Sequence, residues 1–249
     1  MEKNEYRKMY EIETSYWWFL GKRYLIDFLL KTYLSHDGRN RLLDVGCGTG
    51  LVLELMKSHG PAFGIELSGD AISFLRRRNL NLVVQSDASQ ALPFKNDVFS
   101  IITCLDVLEH LRNDIFLVEE MFRICKPGGF IIITAPAMNC LWSEHDEALH
   151  HKRRYTKKEL LNRVVAVNCH VKKASYFNTS LFMPIFAIRK IKAIFKQKSV
   201  AQSDFFIPLP GWVNACLYFF YSKELTLLKS LTFPFGVSLL AILQKEGSV

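Results

Sequence analysis

The stretch of sequence that decides the fold is Leu42-Leu-Asp-Val-Gly-Cys-Gly-Thr-Gly50. The apolar run over 41–45 predicts a short buried strand, and the glycines at 46, 48 and 50 follow it directly. Because glycine lacks a side chain, such a turn can be tight and can bring the backbone close to a ligand. The stretch therefore predicts a strand, a nucleotide-binding turn and then a helix from Leu51.

The spacing of these glycines separates classes of ligand. A dinucleotide-binding loop places its third glycine one position later, where this chain has Leu51. No Lys-Ser or Lys-Thr pair follows, so the phosphate-gripping loop of ATP-binding proteins is absent. The carboxylate of Asp44 just before the turn suits a cationic ligand better than a pyrophosphate. A nicotinamide-dependent oxidoreductase stays as the alternative enzyme.

Outward from this stretch, strands and helices alternate along the chain. Short apolar runs without polar alternation predict strands that are covered on both faces, as in a doubly wound α/β sheet. Besides 41–45, strands are expected at 62–66, 81–85, 98–104, 130–134, 170–176 and 236–243. Helices are expected at 51–59, 70–78, 113–125 and 156–167, the second capped by Ser68 or Asp70 and the third ended by Lys126-Pro-Gly-Gly129.

Two more acidic residues follow predicted strands. Glu66 lies twenty residues after Gly46, at the end of the second strand, where a carboxylate can accept both hydroxyls of a ribose. Asp87 follows the third strand and is placed to accept a hydrogen bond from an adenine amino group. Since the carboxyl ends of parallel strands meet at one edge of a sheet, Asp44, Glu66 and Asp87 are expected around one crevice.

As a set, these motifs resemble those of the class I S-adenosylmethionine-dependent methyltransferases, in particular a type 11/12-like subgroup. Residues 42–50 are similar to the first motif of that family, Gly64–Ser68 to its ribose-binding strand end and Gln85–Ala88 to its adenine-binding turn. The resemblance covers roughly residues 40–135. It implies a Rossmann-like methyltransferase sheet of seven strands with the last strand antiparallel, and S-adenosyl-L-methionine as the cofactor. The cofactor-binding residues that it implies are Asp44, Gly46, Cys47, Gly48, Glu66, Leu67, Asp87, Ala88, Leu105 and Asp106.

The resemblance also directs attention to candidate catalytic residues. A general base matters when the acceptor is a hydroxyl or a protonated amine. We expect His110, after the fourth strand, or His145, beside the carboxylate of Asp146, in this role. His150, His151 and Tyr155 are further candidates, and His110 is equally consistent with a structural role at a helix start. Arg153 and Arg154 are expected either to clamp an anionic acceptor or to be surface charges.

A metal site is a weaker interpretation of the same region. Asp106-x-x-Glu109-His110 resembles the cluster that quinone-pathway O-methyltransferases use for a divalent ion, with Asp in place of the first Glu. Because Glu109-His110 also occurs in metal-free relatives, we predict no metal.

The chain is predicted to form one methyltransferase domain with five parts. These are an N-terminal helical lid (1–38), the cofactor-binding core (39–135), an acceptor-side loop, helix and strand (136–179), a helical insertion (180–232) and the final strand (233–249). The aromatic run Tyr16–Phe19 is expected in a lid helix, or in a helix that covers a sheet edge. Arg76–Arg78 is expected to be a helix C-terminus favoured by the helix dipole, with no partner implied.

Charge is distributed unevenly. Residues 1–150 carry 16 Lys or Arg against 20 Asp or Glu, whereas residues 151–249 carry 16 against 4. A nucleic-acid-binding protein rarely confines its basic charge in this way, so no nucleic acid is expected. Residues 185–198 have the pattern of a basic amphipathic helix, either lying on an anionic membrane surface or packed on the core. Three apolar stretches (175–188, 205–222 and 231–243) contain prolines and are too short to span a membrane.

The remaining features suggest where the protein acts and on what. Six scattered cysteines and a charged start without an apolar segment favour a cytoplasmic location, with peripheral contact at the inner membrane surface as an option. The flanks around Tyr16 and His151 resemble a bacterial and archaeal subgroup linked to glycan and lipid pathways. We therefore expect O- or N-methylation of a small-molecule or glycan- or lipid-linked acceptor. A non-catalytic cofactor-binding or membrane-associated protein is the other alternative.

Overall fold

The computed structural model describes residues 3–35, 38, 40–164, 167, 169–194 and 209–247. Its centre is a seven-stranded sheet in the order β3-β2-β1-β4-β5-β7-β6. The first five strands are parallel, and β7 runs antiparallel to both β5 and β6. The predicted fold class, including the antiparallel last strand, is confirmed. The strands are β1 (Leu42–Val45), β2 (Ala62–Glu66), β3 (Val83–Gln85), β4 (Phe99–Leu105), β5 (Cys125–Pro136), β6 (Cys169–Phe177) and β7 (Ser238–Lys245).

Helices cover both faces of this sheet, and their starts follow the capping residues in the sequence. Ser68 caps the helix after β2 by accepting a hydrogen bond from the Ala71 amide, and Asn113 does the same for Phe116. Thr156 and Glu159 form a capping box. The α-helices are α1 (Lys3–Ile12), α2 (Trp17–Tyr33), α3 (Leu51–Lys57), α4 (Gly69–Arg77), α5 (Asp114–Ile124), α6 (Glu144–Ala148), α7 (Lys157–Asn162), α8 (Phe182–Ile194) and α9 (Gly211–Leu228).

Two predicted boundaries are wrong by five residues, whereas the others differ by two residues or fewer. Strand β5 begins at Cys125, before the Pro-Gly-Gly segment expected to precede it. Phe99 of β4 pairs with Cys125 and Ile101 pairs with Phe130, so residues 126–129 bulge out of the ladder without ending the strand. Helix α7 ends at Asn162 instead of Val167, and residues 165 and 166 of that prediction lie outside the described part of the chain.

Helix α9 (Gly211–Leu228) is fixed to the rest of the chain by a buried acid. Glu224 accepts hydrogen bonds from the backbone amides of Thr179 (2.8 Å) and Ser180 (3.1 Å). Among the helices that the structure describes, none is both long and apolar enough to cross a lipid bilayer. The predicted amphipathic segment 185–198 is described as far as Ile194, within α8, and its last four residues lie outside the described chain.

The first turn of α2 is fixed by α9, a contact that the sequence did not indicate. The backbone amide of Trp17 donates to the side-chain oxygen of Asn214 (2.9 Å), whose amide group donates to the carbonyl of Ser15 (2.9 Å). The ring of Trp17 meets that of Tyr221 edge to face at 5.5 Å. The predicted lid and the predicted insertion are therefore packed together, although they are about 200 residues apart in sequence.

A buried ion pair holds the link between α1 and α2 to the core. Arg78 was expected to have no partner, but its guanidinium donates to Glu13 (2.7 Å) and to Glu54 (2.6 Å). Glu13 is almost fully buried and also accepts from the Thr49 hydroxyl (2.6 Å). Because an unpaired charge at this depth would be costly, these contacts fix the position of the α1–α2 link above the glycine turn.

Packing between α2 and α9 depends on the absence of a side chain at Gly21. A Cβ atom at this position would lie 2.0 Å from Cε1 of Tyr221, a ring that is 3% exposed. We expect Gly21→Ala to lower the free energy of unfolding by about 2 kcal/mol, since overpacking outweighs the gain in helix propensity of about 1 kcal/mol. Urea denaturation measures the change. In a Tyr221→Ala background the same substitution should cost nothing, and an equal loss in both backgrounds would contradict this explanation.

Candidate active site

A cavity of about 480 Å³ lies at the carboxyl ends of β1, β2 and β4 and is covered by residues from α1, α2 and α8. This is the edge where a doubly wound sheet places its ligands. All ten residues predicted at the cofactor site line the cavity, and His110 and His145 line it too. The residues predicted from the sequence therefore lie together at the carboxyl edge of the sheet. The separate role of each residue stays a prediction.

The glycine turn has the backbone conformation that its sequence predicts. Gly46 and Gly48 have φ angles of 73° and 54°, in the left-handed region that favours glycine. The Gly46 amide donates to the carbonyl of Ile65 (2.8 Å), which joins the turn to β2. A Cβ atom at Gly46 would lie 2.5 Å from Val107, whereas one at Gly48 would contact only Met9, at 3.4 Å. The turn is thus closely packed at Gly46 and has more room at Gly48.

Glu66 lies at the end of β2 with its carboxylate against the turn. One oxygen accepts from the Gly48 amide (2.8 Å) and the other from the Ser68 amide (2.9 Å), and the residue is 6% exposed. The Tyr6 hydroxyl of α1 reaches the same carboxylate at 3.5 Å. A carboxylate offers about four acceptor sites. Glu66 therefore keeps acceptor capacity for ligand hydroxyls, and Tyr6 covers it from the lid side.

Two further carboxyl groups, those of Asp44 and Asp106, contribute to the cavity wall. Asp44 is buried and accepts from the Thr103 hydroxyl (2.6 Å), and burial raises its pKa to about 7. Asp106 forms an ion pair with Lys22 of α2 (2.6 Å) and accepts from the Thr134 hydroxyl (3.1 Å). Burial opposes the ionisation of Asp106, but the charge and hydrogen bond of Lys22 outweigh it, and the pKa of Asp106 is lowered. This wall of the cavity is acidic, and Lys22 of α2 places a positive charge against it.

Lys22 is the residue of this site that sequence analysis missed. It lies three residues after the aromatic run Tyr16–Phe19, and nothing local marks a lysine there as a partner of a residue 84 positions away. Its position in the second turn of the predicted lid helix, on the same face as Trp18, was the available signal.

Histidines and acids lie together at the other end of the cavity. Nδ1 of His151 lies 2.9 Å from Oδ1 of Asp146, and the same oxygen accepts from Nε of Arg154 (2.8 Å). Burial opposes ionisation of Asp146, but the His151 hydrogen bond and the Arg154 charge outweigh it and lower its pKa to about 2. The rings of His110 and His145 lie 4.9 Å and 6.2 Å from that of His151.

The carboxylate that orients a histidine thus acts on His151, whereas the sequence suggested His145. His145 and Asp146 are consecutive on α6, so their side chains point in different directions. The chain turns back after α6, and the His151 amide donates to the Asp146 carbonyl (2.8 Å), which brings the two side chains together. His145 itself is buried and lines the cavity.

The other candidates in this region have structural roles or lie elsewhere. Arg154 is buried on Asp146, and Arg153 donates to Asp114 (3.0 Å). Tyr155 is also buried and donates to Asp114 (2.7 Å). Neither Tyr155 nor His150 is among the described residues that line the cavity. Both arginines are paired with carboxylates, which supports a structural role. Arg154 also lines the cavity, so a clamp on an anionic acceptor stays a prediction.

Glu109 is the least satisfied polar group of the cavity. It is fully buried, and neither of its carboxyl oxygens has a hydrogen-bond partner among the residues that the structure describes. Burial, then the charge of Asp106, raises its pKa well above the usual value. Burial also lowers the pKa of His110 to about 4, with the neighbouring His151 adding to the shift. Burial thus disfavours the charged form of both groups, and at neutral pH the imidazole of His110 is uncharged.

The group of residues able to hold a metal ion differs from the one considered in the sequence. Ligand atoms of Glu109, His110 and His151 lie within 4.8 Å of one another. Asp106 is instead paired with Lys22. The absence of a bound metal stays a prediction.

The sheet has five parallel strands and an antiparallel last strand, and an acidic, glycine-lined cavity lies at the carboxyl ends of the parallel strands. Together they define a protein of the class I methyltransferase fold. A family model described as "Methyltransferase domain" matches residues 17–182, two thirds of the chain, and the chain therefore belongs to the methyltransferase domain family. This confirms the predicted family, and S-adenosyl-L-methionine as its cofactor.

Curated relatives are similar over part of their length. A ubiquinone biosynthesis O-methyltransferase of Aliivibrio fischeri (strain ATCC 700601 / ES114) is 26% identical over 141 residues, covering 51% of this chain and 60% of the relative. One of Alkalilimnicola ehrlichii is 32% identical over 115 residues, covering 44% and 46%. The chain thus matches about half of the length of these relatives.

Solved structures share the fold at low sequence identity. A putative methyltransferase from Bacillus halodurans C-125 has a TM-score of 0.58 and 22% identity, covering 89% of this chain and 98% of that one. A geranyl diphosphate methyltransferase in complex with GPP and sinefungin has a TM-score of 0.60 and 13% identity, covering 88% and 76%. These similarities support the fold.

The residues present fit S-adenosyl-L-methionine. The carboxylate of Glu66 faces the glycine turn with acceptor capacity for ribose hydroxyls. Asp44 and Asp106 offer negative charge to the cationic methionine end, and the space beside Gly48 admits a ligand close to the backbone. The donor set suits this cofactor better than a dinucleotide, whose pyrophosphate would meet acidic residues.

The raised pKa of Asp44 predicts a pH-dependent stability. Its pKa in the folded chain, about 7, exceeds the usual value of 3.8, so the folded state holds a proton that the unfolded state releases as the pH rises. We expect the unfolding free energy of the wild type to fall relative to that of Asp44→Asn by about 3 kcal/mol between about pH 4.5 and pH 7. Urea titrations at several pH values measure this. Asp97→Asn, at an exposed carboxyl, is the control, and parallel curves for wild type and Asp44→Asn would contradict the prediction.

Proposed function

We propose that this chain transfers the methyl group of S-adenosyl-L-methionine to an oxygen of a small-molecule acceptor, free or carried on a lipid or glycan. The observation that carries this proposal is a single cavity lined both by the predicted cofactor residues and by His151, whose Nδ1 lies 2.9 Å from the carboxylate of Asp146. The names of the curated relatives, which are O-methyltransferases, favour oxygen over nitrogen.

In this proposal the cofactor lies along the carboxyl ends of β1 to β4. Glu66 accepts the ribose hydroxyls, and Asp87 accepts a hydrogen bond from the adenine amino group. Asp44 and Asp106 face the positively charged methionine end, with the remaining predicted residues, Gly46, Cys47, Gly48, Leu67, Ala88 and Leu105, in contact around it. Bound in this way, the cofactor supplies an electrophilic methyl group on a sulfonium.

The acceptor side of the proposal rests on His151. The acceptor oxygen attacks the methyl carbon in line with the bond to sulfur, which breaks and leaves its electron pair on sulfur. Nδ1–H of His151 is donated to Asp146. Its Nε2, which lies 3.9 Å from a carboxyl oxygen of Glu109 without a hydrogen bond to it, accepts the proton of the acceptor hydroxyl. The buried, ionised Asp146 then stabilises the imidazolium that forms. His110 and His145, the predicted catalytic histidines, lie next to His151 and line the same cavity.

The N-terminal segment serves as the lid in this proposal. Tyr6 and Met9 of α1 and Trp18 of α2 line the cavity on the side opposite the sheet. Large aromatic side chains there exclude water from the transferred methyl group, and Lys22 fixes the lid to Asp106. Because α9 fixes the start of α2, the insertion supports the lid.

Binding of the reaction product tests the cofactor half of the proposal. By titration calorimetry we expect S-adenosylhomocysteine to bind, and Glu66→Gln to weaken binding roughly 10–100-fold through lost charged hydrogen bonds. Glu119→Gln, an exposed change on α5, is the matched control and should leave the affinity unchanged. Heat released with NAD but not with S-adenosylhomocysteine would favour the oxidoreductase alternative instead.

A second prediction tests the acceptor half. Product masses are measured with methyl-deuterated S-adenosylmethionine and a panel of phenols, amines and extracted lipids. We expect deuterated methyl groups on hydroxyl-bearing compounds, and His151→Asn to reduce the initial rate about 10²–10⁴-fold at neutral pH with unchanged S-adenosylhomocysteine affinity. His150→Asn is the neighbouring control. Products among the amines alone would contradict O-methylation.

A chelator separates a base from a metal site in the same assay. The proposal expects the rate to be unchanged by EDTA. The alternative is a metal ion held by Glu109, His110 and His151. In that case the wild type would lose its rate with EDTA and regain it with Mg²⁺, whereas the rate of Glu109→Gln would not respond to Mg²⁺.

A further inference from the structure

The outer face of α9 is apolar and exposed. Its inner face packs Tyr221, Leu225 and Leu228 against the core, so it is already in use. On the opposite side, Trp212 is 73% exposed and Phe220 is 63% exposed. Contiguous exposed apolar side chains mark an interaction surface more often than single exposed ones do. The outer face of α9 consists of Trp212, Ala215, Cys216, Phe219, Phe220, Lys223 and Leu227.

Helix α8 has the same division. Ile185 and Arg189 line the cavity on its inner side. Met183, Ile188 and Ile191 project outward and are each more than half exposed. The helix is therefore a wall of the cavity with an apolar outer face.

Both outer faces carry positive but no negative charge. Nζ of Lys223 lies 5.4 Å from the ring centre of Phe219, and Nζ of Lys190 lies 5.5 Å from that of Phe186. The acidic residue within the two helices is Glu224, which is buried on the inner side. Aromatic side chains with lysines beside them and no acid are the composition that suits an anionic lipid surface.

We propose that the outer faces of α8 and α9 dock on an anionic lipid bilayer, with their aromatic and aliphatic side chains inserted at the boundary between headgroups and acyl chains. The inner side of α9 faces the core and that of α8 the cavity, and the outer faces of both are exposed in the part of the chain that the structure describes. The absence of acid on either face favours lipid phosphates over a basic protein surface. The docking does not depend on the methyltransferase reaction.

Docking has a consequence for the cavity that rests on the proposed function. Since α8 is a wall of the cavity, docking of its outer face would hold the cavity next to the bilayer, where an acceptor carried on a lipid is present. The lipid phosphates would lie near Lys190 and Lys223, outside the cavity. Cofactor binding at the far end of the cavity would be unaffected.

Co-sedimentation with vesicles tests the docking. The full chain is mixed with vesicles of phosphatidylcholine alone or with phosphatidylglycerol, at low and high salt. We expect sedimentation with the anionic vesicles, weakened by salt. Phe219→Ser with Phe220→Ser should lower the partition coefficient at least about tenfold, and Lys190→Glu with Lys223→Glu at least about twentyfold. All four side chains are exposed, and circular dichroism with S-adenosylhomocysteine binding checks that each variant is folded.

Matched substitutions elsewhere decide between this surface and general stickiness. Leu82→Ser removes an exposed apolar side chain next to β3, and Lys95→Glu reverses an exposed charge in the segment before β4. Both variants should bind vesicles like the wild type. No binding to anionic vesicles at low salt, or equal binding by the α9 variant, would overturn the proposal. So would a dimer in solution that Phe219→Ser with Phe220→Ser converts to a monomer, since a second copy would then cover the face.

Discussion

Parallel pairing of β1 with β2 on one side and β4 on the other is the constraint on which the site depends. In-register pairing places Val45 beside both Ile65 and Cys104, so the three strands end together. The residues that follow, the glycine turn, Glu66 and Asp106, are then brought to one edge by backbone hydrogen bonds alone. The side chains need no other scaffold to form an acidic crevice, which explains why such a short motif is so informative.

The cavity is closed by parts of the chain that are remote in sequence. Helix α2 brings Lys22 to Asp106, and α9 holds the start of α2 through Asn214 and Tyr221. Glu13 and Arg78 fasten the link between α1 and α2 to the core. Each contact joins the lid to a different element, so the lid is positioned by polar contacts at its ends and by aromatic packing between them.

Features specified by residues close together in the sequence could be predicted, and features that depend on distant residues could not. The strand, turn and helix at 42–57 are specified within a few residues by apolar runs, glycines and caps, and were predicted nearly to the residue. The ten expected cofactor residues share one edge because strand order and direction follow from the alternation of elements. The bulge at 126–129 was missed because glycines that end a helix before a strand and glycines that bulge out of a strand look alike in sequence.

Contacts between distant side chains could not be predicted in this way. Lys22 meets Asp106 across 84 positions, and Arg78 meets Glu13 across 65. The partner of Asp146 was misassigned because sequence adjacency suggested His145, whereas the turn after α6 delivers His151. In each case the deciding factor is the path of the backbone between elements, which composition and spacing do not encode.

The position of β7 imposes an order on folding during synthesis. This strand is translated after β6, yet it lies between β5 and β6 and pairs with both. Until residues 238–245 leave the ribosome, β6 lacks the ladder that joins it to the sheet, and the exposed edge of β5 has to be kept from pairing with other chains. A chain cut short before residue 238 would therefore lack β7 and leave β6 unpaired, and cells making such a product would be expected to degrade it.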